Sequence, residues 1–211
     1  MDSPVARHRT PNLRGKRATA LVIEAATRLF AERGYNGVSI ADIAAAAGVA
    51  KPSVLYHFDK EGLWKACVET LWDEVGRFFD ERWPHGVAPS RALLETILDL
   101  FIEASVTYPA YVRIPFIEGA TPSWRSEWLV DRHFGRHVRS TDRVIRALQA
   151  RGVIGPGEPA HYQALMSSPV NVFIAQAAMW GRAYDRQFDT ADMLKQQTRL
   201  TLDLIIRPDI I

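Results

Sequence analysis

The sequence predicts an all-α chain of two domains, a small three-helix unit followed by a larger helical one, with about nine helices in total. Three observations predict it. Apolar residues recur at helical spacing along nearly the whole of the 211 residues, and no segment shows the alternation of a half-buried strand. Glycines and prolines divide the periodic stretches at intervals that suit helices. Hydrophobic residues make up 47% of the chain and charged residues 24%, ordinary proportions for a chain that buries a core.

In the first helix, over 17–33, Val22, Ala25, Ala26, Leu29 and Phe30 form a stripe that runs out at Arg33, and Gly34 follows as the residue just past the end. Ser39 opens a second, short helix. Asp42, three residues on, completes the pattern of a capping box, while Ile40, Ile43, Ala44 and Ala47 make the buried face and Gly48 ends it. A third helix covers 50–58 with Pro52 in its first turn, where a missing N–H costs nothing.

From Asp59, an N-cap candidate, a long helix carries Leu63, Trp64, Val68, Leu71, Trp72, Val75, Phe78, Phe79 and Trp83 at helical spacing and stops at Pro84. After a loop over 84–89, further helices are expected near 90–107, 109–118, 123–151, 158–183 and 189–207. Pro109, Pro122, the 152–159 stretch and the 186–189 turn separate them. The domains are expected to be 1–60 and 61–211.

Composition removes several function classes. Cys67 is the single cysteine, so neither an intramolecular disulfide nor a cysteine zinc site is available, which suits a reducing cytoplasm. No apolar h-region opens the chain and no apolar run approaches the ~20 residues needed to span a bilayer. No cofactor motif is found, and no nucleophile with an adjacent base marks an enzyme. The net charge is only +2, but residues 1–60 hold nine Lys/Arg against five acids, +4, leaving −2 for the rest. The positive field is concentrated where a polyanion would be attracted.

The segment 40–58 has the marks of a helix-turn-helix. Ala44 lets two helices cross closely, and Gly48 takes the φ > 0 conformation of the tight turn. With Val49, Val54 and Phe58 on the apolar side, Ala50, Lys51, Pro52, Ser53, Tyr56 and His57 face outward, as in a helix lying in a DNA major groove. An ordinary αα-hairpin packs the same way. What distinguishes this one is its surroundings: Ala26, Leu29, Phe30, Gly34, Tyr35 and Gly37, then Ser39, Ile43, Ala44, Ala47, Gly48, Val49 and Lys51, then Tyr56, Phe58, Lys60, Glu61 and Leu63. Over 17–72 the chain resembles the TetR (tetracycline repressor) family of transcriptional regulators.

The resemblance implies a homodimer, paired through its last two helices, that binds a double-stranded DNA operator and usually acts as a repressor released by a small-molecule effector. Ser39, Tyr56, His57 and Lys60 would hold phosphates, and Lys51 and Ser53 would lie nearest the bases, with Pro52 placed to touch a thymine methyl. Lys16 and Arg17 would reach the backbone or the adjacent minor groove, or else form a solvated basic end. One departure stands out. The run Tyr56-His57-Phe58-Asp59-Lys60-Glu61 is one residue shorter than the family's common ending, and Asp59 takes the capping role of the usual serine.

The resemblance also places an effector pocket in the second domain. That domain has more aromatics than helix seams need, and prolines that interrupt or bend helices. The candidate lining residues are Phe101, Tyr108, Trp124, Trp128, Phe134, Tyr162 and Phe173, with Arg113 and Asn171 as polar anchors. His133 and His137, at i and i+4, lack a third ligand and are read as solvated, with no metal expected. Arg132, Arg136, Arg139, Arg143 and Arg146 form one basic stripe opposite an expected buried face of Phe134, Val138, Thr141, Ile145 and Leu148. Ala175, Ala178 and Gly181, and a stripe of Met193, Leu194, Gln197, Leu200, Thr201, Leu204 and Ile205, mark the expected dimer face. The rival functions are a sequence-indifferent DNA-binding or nucleoid protein and an enzyme built on a helical domain.

Overall fold

The computed structural model describes residues 13–206. The first four helices are α1 (Leu13–Arg33), α2 (Ile40–Ala47), α3 (Lys51–His57) and α4 (Lys60–Arg82). Then come α5 (Arg91–Thr107), α6 (Pro109–Glu118), α7 (Trp124–Leu129), a π-helical turn (Val130–Phe134), α8 (Gly135–Ala150), α9 (Pro159–Ala175), α10 (Ala177–Tyr184) and α11 (Ala191–Ile205). Among the described residues there is no strand; one antiparallel bridge pairs Ile154 with Ile206. The fold is all-α, as the periodicity requires.

Two compact units meet between Val68 and Glu69, inside α4. The boundary lies beyond 60/61 because Leu63, Trp64, Cys67 and Val68 are all buried. In the first unit, α1 supplies Ala26, Leu29 and Phe30, α2 supplies Ile43 and Ala44, and α3 supplies Val54. Tyr35 stacks on Phe30 and meets Trp64 edge-on. The buried Cys67 thiol lies 3.5 Å from the Ile23 carbonyl, and burial pushes its pKa up to about 12, so it stays an unreactive thiol.

In the second unit α9 is the central helix, packed against α5, α6, α8, α10 and α11. One core cluster joins Leu94 and Leu98 of α5, Ile145 and Leu148 of α8, Ile154, Met166 of α9, and Leu202 and Ile206. A second joins Ile102, Val112, Val170, Ile174 and Leu194. Ser90 and Thr190 cap α5 and α11 by accepting from the N–H of Leu93 and Met193. Pro109 and Pro159 occupy first turns, where a proline removes no helical hydrogen bond, whereas Pro115 and Pro169 lie inside α6 and α9.

Three details differ from the sequence-based expectation. The helix expected over 158–183 is interrupted at Gln176, whose backbone (φ −113, ψ 22) leaves the helical region. The run expected over 123–151 is continuous but contains the π turn, which adds a residue to one turn and shifts the helical phase of the residues after it. Phe134, expected on the buried face, is the last residue of this turn and is 46% exposed, while Ile145 and Leu148 are buried as the pattern requires. Finally, the stripe on α11 is divided. Leu194, Thr198 and Leu202 face this chain's own core, and Leu200 and Leu204 face outward.

Candidate nucleic-acid interface

The outward face of α3 is prepared by the turn before it. At Gly48 the backbone adopts φ 66 and ψ 31, the left-handed region that a Cβ disfavours. Its N–H and that of Val49 return to the carbonyls of Ala45 and Ala44, which close the last turn of α2. The chain then turns into α3, where Pro52 occupies the first turn and the N–H of Ser53 reaches the Ala50 carbonyl. Val54 is the buried anchor of this helix. Lys51, Pro52, Ser53, Tyr56 and His57 are all exposed, Tyr56 at 85%, with its ring edge-on to that of His57 at 4.9 Å.

Beside α3 runs a groove of about 590 Å³, lined by Asn36, Gly37, Val38, Ser39, Ile40, Asp42, Lys51, Leu55 and Lys60. Lys51, Ser39 and Lys60, far apart in sequence, therefore line one surface. Each is held by local chemistry. Ser39 caps α2: its hydroxyl oxygen accepts from the Asp42 N–H, and the Asp42 carboxylate accepts from both the N–H (2.8 Å) and the hydroxyl (2.6 Å) of Ser39. These two hydrogen bonds hold the Asp42 carboxyl below its ordinary pKa, so it stays charged. The Ser39 hydroxyl is thus engaged in the cap. The arrangement leaves the Lys51 and Lys60 ammonium groups at the groove and the exposed Tyr56 and His57 side chains beside it, groups that can meet an anion.

Lys60 stands at the start of α4, directly after the shortened run from Tyr56. Asp59 caps this helix, its carboxylate accepting from the Gly62 N–H at 2.6 Å, as the substitution for serine anticipated. The Lys60 ammonium lies 4.3 Å from the centre of the Tyr35 ring, a cation–π contact that fixes the charge at the groove wall. Gly37, opposite, is required by close approach, since a Cβ there would sit 2.4 Å from the Arg33 carbonyl oxygen. Leu55 was not among the sequence candidates. It is 52% exposed and lines the groove, and its spacing of four from Lys51 was the available signal. Arg17 is exposed on α1, and the Lys16 side chain lies outside the described residues.

Residues 22–67 match the family described as bacterial regulatory proteins, tetR family. This segment, α1 from Val22 to the start of α4, is similar to the DNA-binding domain of that family. Two relatives share part of its sequence. The negative transcriptional regulator IcaR of the biofilm operon icaADBC in Staphylococcus aureus is 38% identical over 53 residues, 25% of this chain and 28% of that protein. The transcriptional repressor KstR2 of Rhodococcus jostii is 38% identical over 89 residues, 42% of this chain and 43% of its own length. The chain therefore spans less than half the length of these relatives. Two solved structures share the fold nearly end to end. A TetR-family regulator from Agrobacterium tumefaciens has a TM-score of 0.67 at 20% identity, covering 92% of this chain and 100% of that one. The regulator FadR of Bacillus subtilis, in complex with stearoyl-CoA, has a TM-score of 0.63 at 16% identity, covering 91% and 99%.

Outside this segment, the structure distributes the nine pocket candidates over several places. Phe101 and Phe173 pack on the cluster around Ile102 and Ile174, and Phe173 also meets Trp180 and Phe188. Arg113 donates to the Ile174 carbonyl at 3.3 Å, joining α6 to α9 on which Asn171 also lies. Tyr108, between α5 and α6, faces Phe78, and Trp124 lies 5.5 Å from the Arg125 guanidinium. Tyr162 stands with the other cluster, its hydroxyl donating to the Gly155 carbonyl. Phe134 points outward beside His137. Trp128 meets His133, which is expected from sequence to be solvated and which the structure surrounds with aromatic rings. Among the described residues no group of three or more His, Cys, Asp or Glu side chains is placed to hold a metal. Nor is any helix there long and apolar enough to cross a membrane.

Proposed function

We propose that this chain is a sequence-specific DNA-binding transcriptional regulator, a repressor released from a palindromic operator by a small-molecule effector. The observation that carries the reading is the outward face of α3, with Lys51, Ser53, Tyr56 and His57 exposed beside a groove bearing Lys60, in a segment similar to the DNA-binding domain of the TetR family. α3 enters the major groove. Lys51 and Ser53 lie nearest the bases, Pro52 touches a thymine methyl, and Tyr56, His57 and Lys60 hold phosphates. Ser39 supports these contacts chiefly by capping α2, and Arg17 with Lys16 adds a basic contact at the start of α1.

The second unit, including α4 beyond the boundary, receives the effector and pairs with a second copy. The FadR complex with stearoyl-CoA shows a chain of this fold accepting a small molecule. Phe101, Arg113, Asn171 and Phe173, grouped around α6 and α9, are the strongest lining candidates here. Leu165, Met179, Tyr184, Leu200 and Leu204 are all exposed on α9, α10 and α11, an apolar surface that a second copy would cover. A ligand whose affinity differs between two conformations by about 1 to 3 kcal/mol changes operator binding ~5-fold to ~150-fold.

The rival nucleoid reading predicts equal affinity for any duplex. Selection of duplexes from a random pool, followed by fluorescence anisotropy on the selected and a scrambled sequence, separates the two. A ratio of about a thousand or more is expected here, and a ratio near one contradicts the proposal. That IcaR and KstR2 are transcriptional regulators favours regulation over catalysis.

A further inference from the structure

Among the buried polar atoms of the second unit, Nε2 of His133 is distinguished by what surrounds it. Among the described residues it has no hydrogen-bond partner. The imidazole is flanked by Trp72 of α4, ring centres 5.2 Å apart and tilted by 35°, and by Trp128 of α7, 5.3 Å away and inclined at 67°. Tyr111 of α6 packs on Trp72 at 5.2 Å. His133 itself sits on the π turn. Trp128 and His133 are five residues apart, which a regular α-helix would place about 140° around its axis and a π turn brings into line. The π turn therefore assembles the aromatic enclosure.

We propose that this enclosure binds a neutral, flat aromatic molecule bearing a hydroxyl group, of the phenol class, whose hydroxyl hydrogen-bonds to Nε2 of His133. The inference rests on the effector-binding reading of the second unit and names the chemistry of one site in it. Indole and imidazole faces pair with a flat ring by offset or edge-to-face contact. The ligand is neutral because the nearby charges oppose one another. Burial, then Arg132, and less strongly Arg136 favour the uncharged imidazole, against Glu69 and Asp73, and Arg132 and Glu69 are themselves paired at 3.3 Å. The polar group is a hydroxyl because it both donates and accepts, and so satisfies Nε2 in either tautomer.

The rings touch one another in the free chain, so admission of a ligand requires one of them to move. His133 stands on the π turn, where the regular α-helical hydrogen-bond ladder is already broken. An unpaired buried nitrogen works against folding, and a ligand hydroxyl removes that penalty on binding.

The test is calorimetric titration of the full chain with phenol and with toluene, which has the same shape without the hydroxyl, together with the ¹⁵N resonances of the imidazole. Phenol should bind at least about tenfold more tightly than toluene and shift the His133 Nε2 resonance. His133→Phe, which keeps an aromatic ring, should make the two affinities equal. The resonance shift needs no variant, so a variant that fails to fold does not spare the proposal. Equal affinities in the wild type, phenol affinity unchanged in His133→Phe, or an unmoved Nε2 resonance each overturn it. DNA release by stearoyl-CoA without phenol binding overturns this site and leaves the effector reading standing. Phenol binding at His133 with no effect of any tested ligand on DNA affinity supports the site and removes the effector reading alone.

Discussion

Lys60 and Lys51 line the same groove yet are assigned different work, and the difference is measurable. A phosphate contact acts on every sequence alike, whereas a base contact discriminates. Lys60→Ala should therefore weaken binding to selected and scrambled duplexes by the same factor. It should also lower the slope of log K against log salt by roughly one. Lys51→Ala should additionally change the preferred base at one position of the selected site. An unchanged salt slope for Lys60→Ala would place its ammonium, held against Tyr35, away from the phosphate. Ser39 makes a separate prediction. Loss of its cap in Ser39→Ala should cost about 1 kcal/mol near neutral pH. Because the hydrogen bonds from Ser39 hold the Asp42 carboxyl below its ordinary value of 3.8, their contribution is complete above that value. It is lost as pH falls through the lowered one. Thermal melts of the two proteins should differ most at pH 7 and the gap should narrow, without closing, at strongly acidic pH, because the bond that the hydroxyl accepts from the Asp42 N–H does not titrate; a constant gap contradicts the assignment.

For the elements, the decisive feature is the tightness of the passage from α1 to α3. Gly37→Ala places a Cβ 2.4 Å from a backbone oxygen, an overlap that no side-chain movement relieves, and should cost about 1 to 3 kcal/mol in chemical denaturation. A fully tolerated alanine would mean that the loop before α2 moves freely. The Ser39–Asp42 box, the Gly48 turn and the Asp59 cap were legible in sequence because each is a pattern of donors and acceptors within three or four residues. The helical period likewise located the core of α1, α2 and the long α4. What the sequence did not reveal depended on packing between distant elements. The π turn left no residue signature, and with it went the meeting of Trp128 with His133. The stripe on α11 was visible, but its division between Leu194, facing this chain's core, and Leu204, facing out, is decided by α5 and α9. In the same way, the spacing of four puts Lys51 and Leu55 on one face of α3, but nothing local brings Lys60 of α4 onto the same groove.

At the scale of the molecule, the proposed function joins an asymmetric charge distribution to an assembly of two copies. One α3 of seven residues reads few base pairs, so a useful preference needs two half-sites spaced about 34–36 Å apart. Leu204, 86% exposed, and Leu200, 61% exposed, lie one turn apart on α11. Replacing both with glutamate should convert dimers into folded monomers in sedimentation velocity and weaken operator binding at least about a hundredfold, without changing helix content. Dimers unaffected by this pair of changes would place the interface elsewhere. Operator recognition by a symmetric pair of α3 helices is tested most directly by a footprint of the wild-type chain on its selected duplex. Two protected half-sites are expected, related by two-fold symmetry and centred one helical turn, or a multiple of one, apart, with protection lost when Lys51 and Lys60 are both changed to alanine. A single unsymmetrical footprint, or protection that spreads evenly along the duplex whatever its sequence, would contradict it.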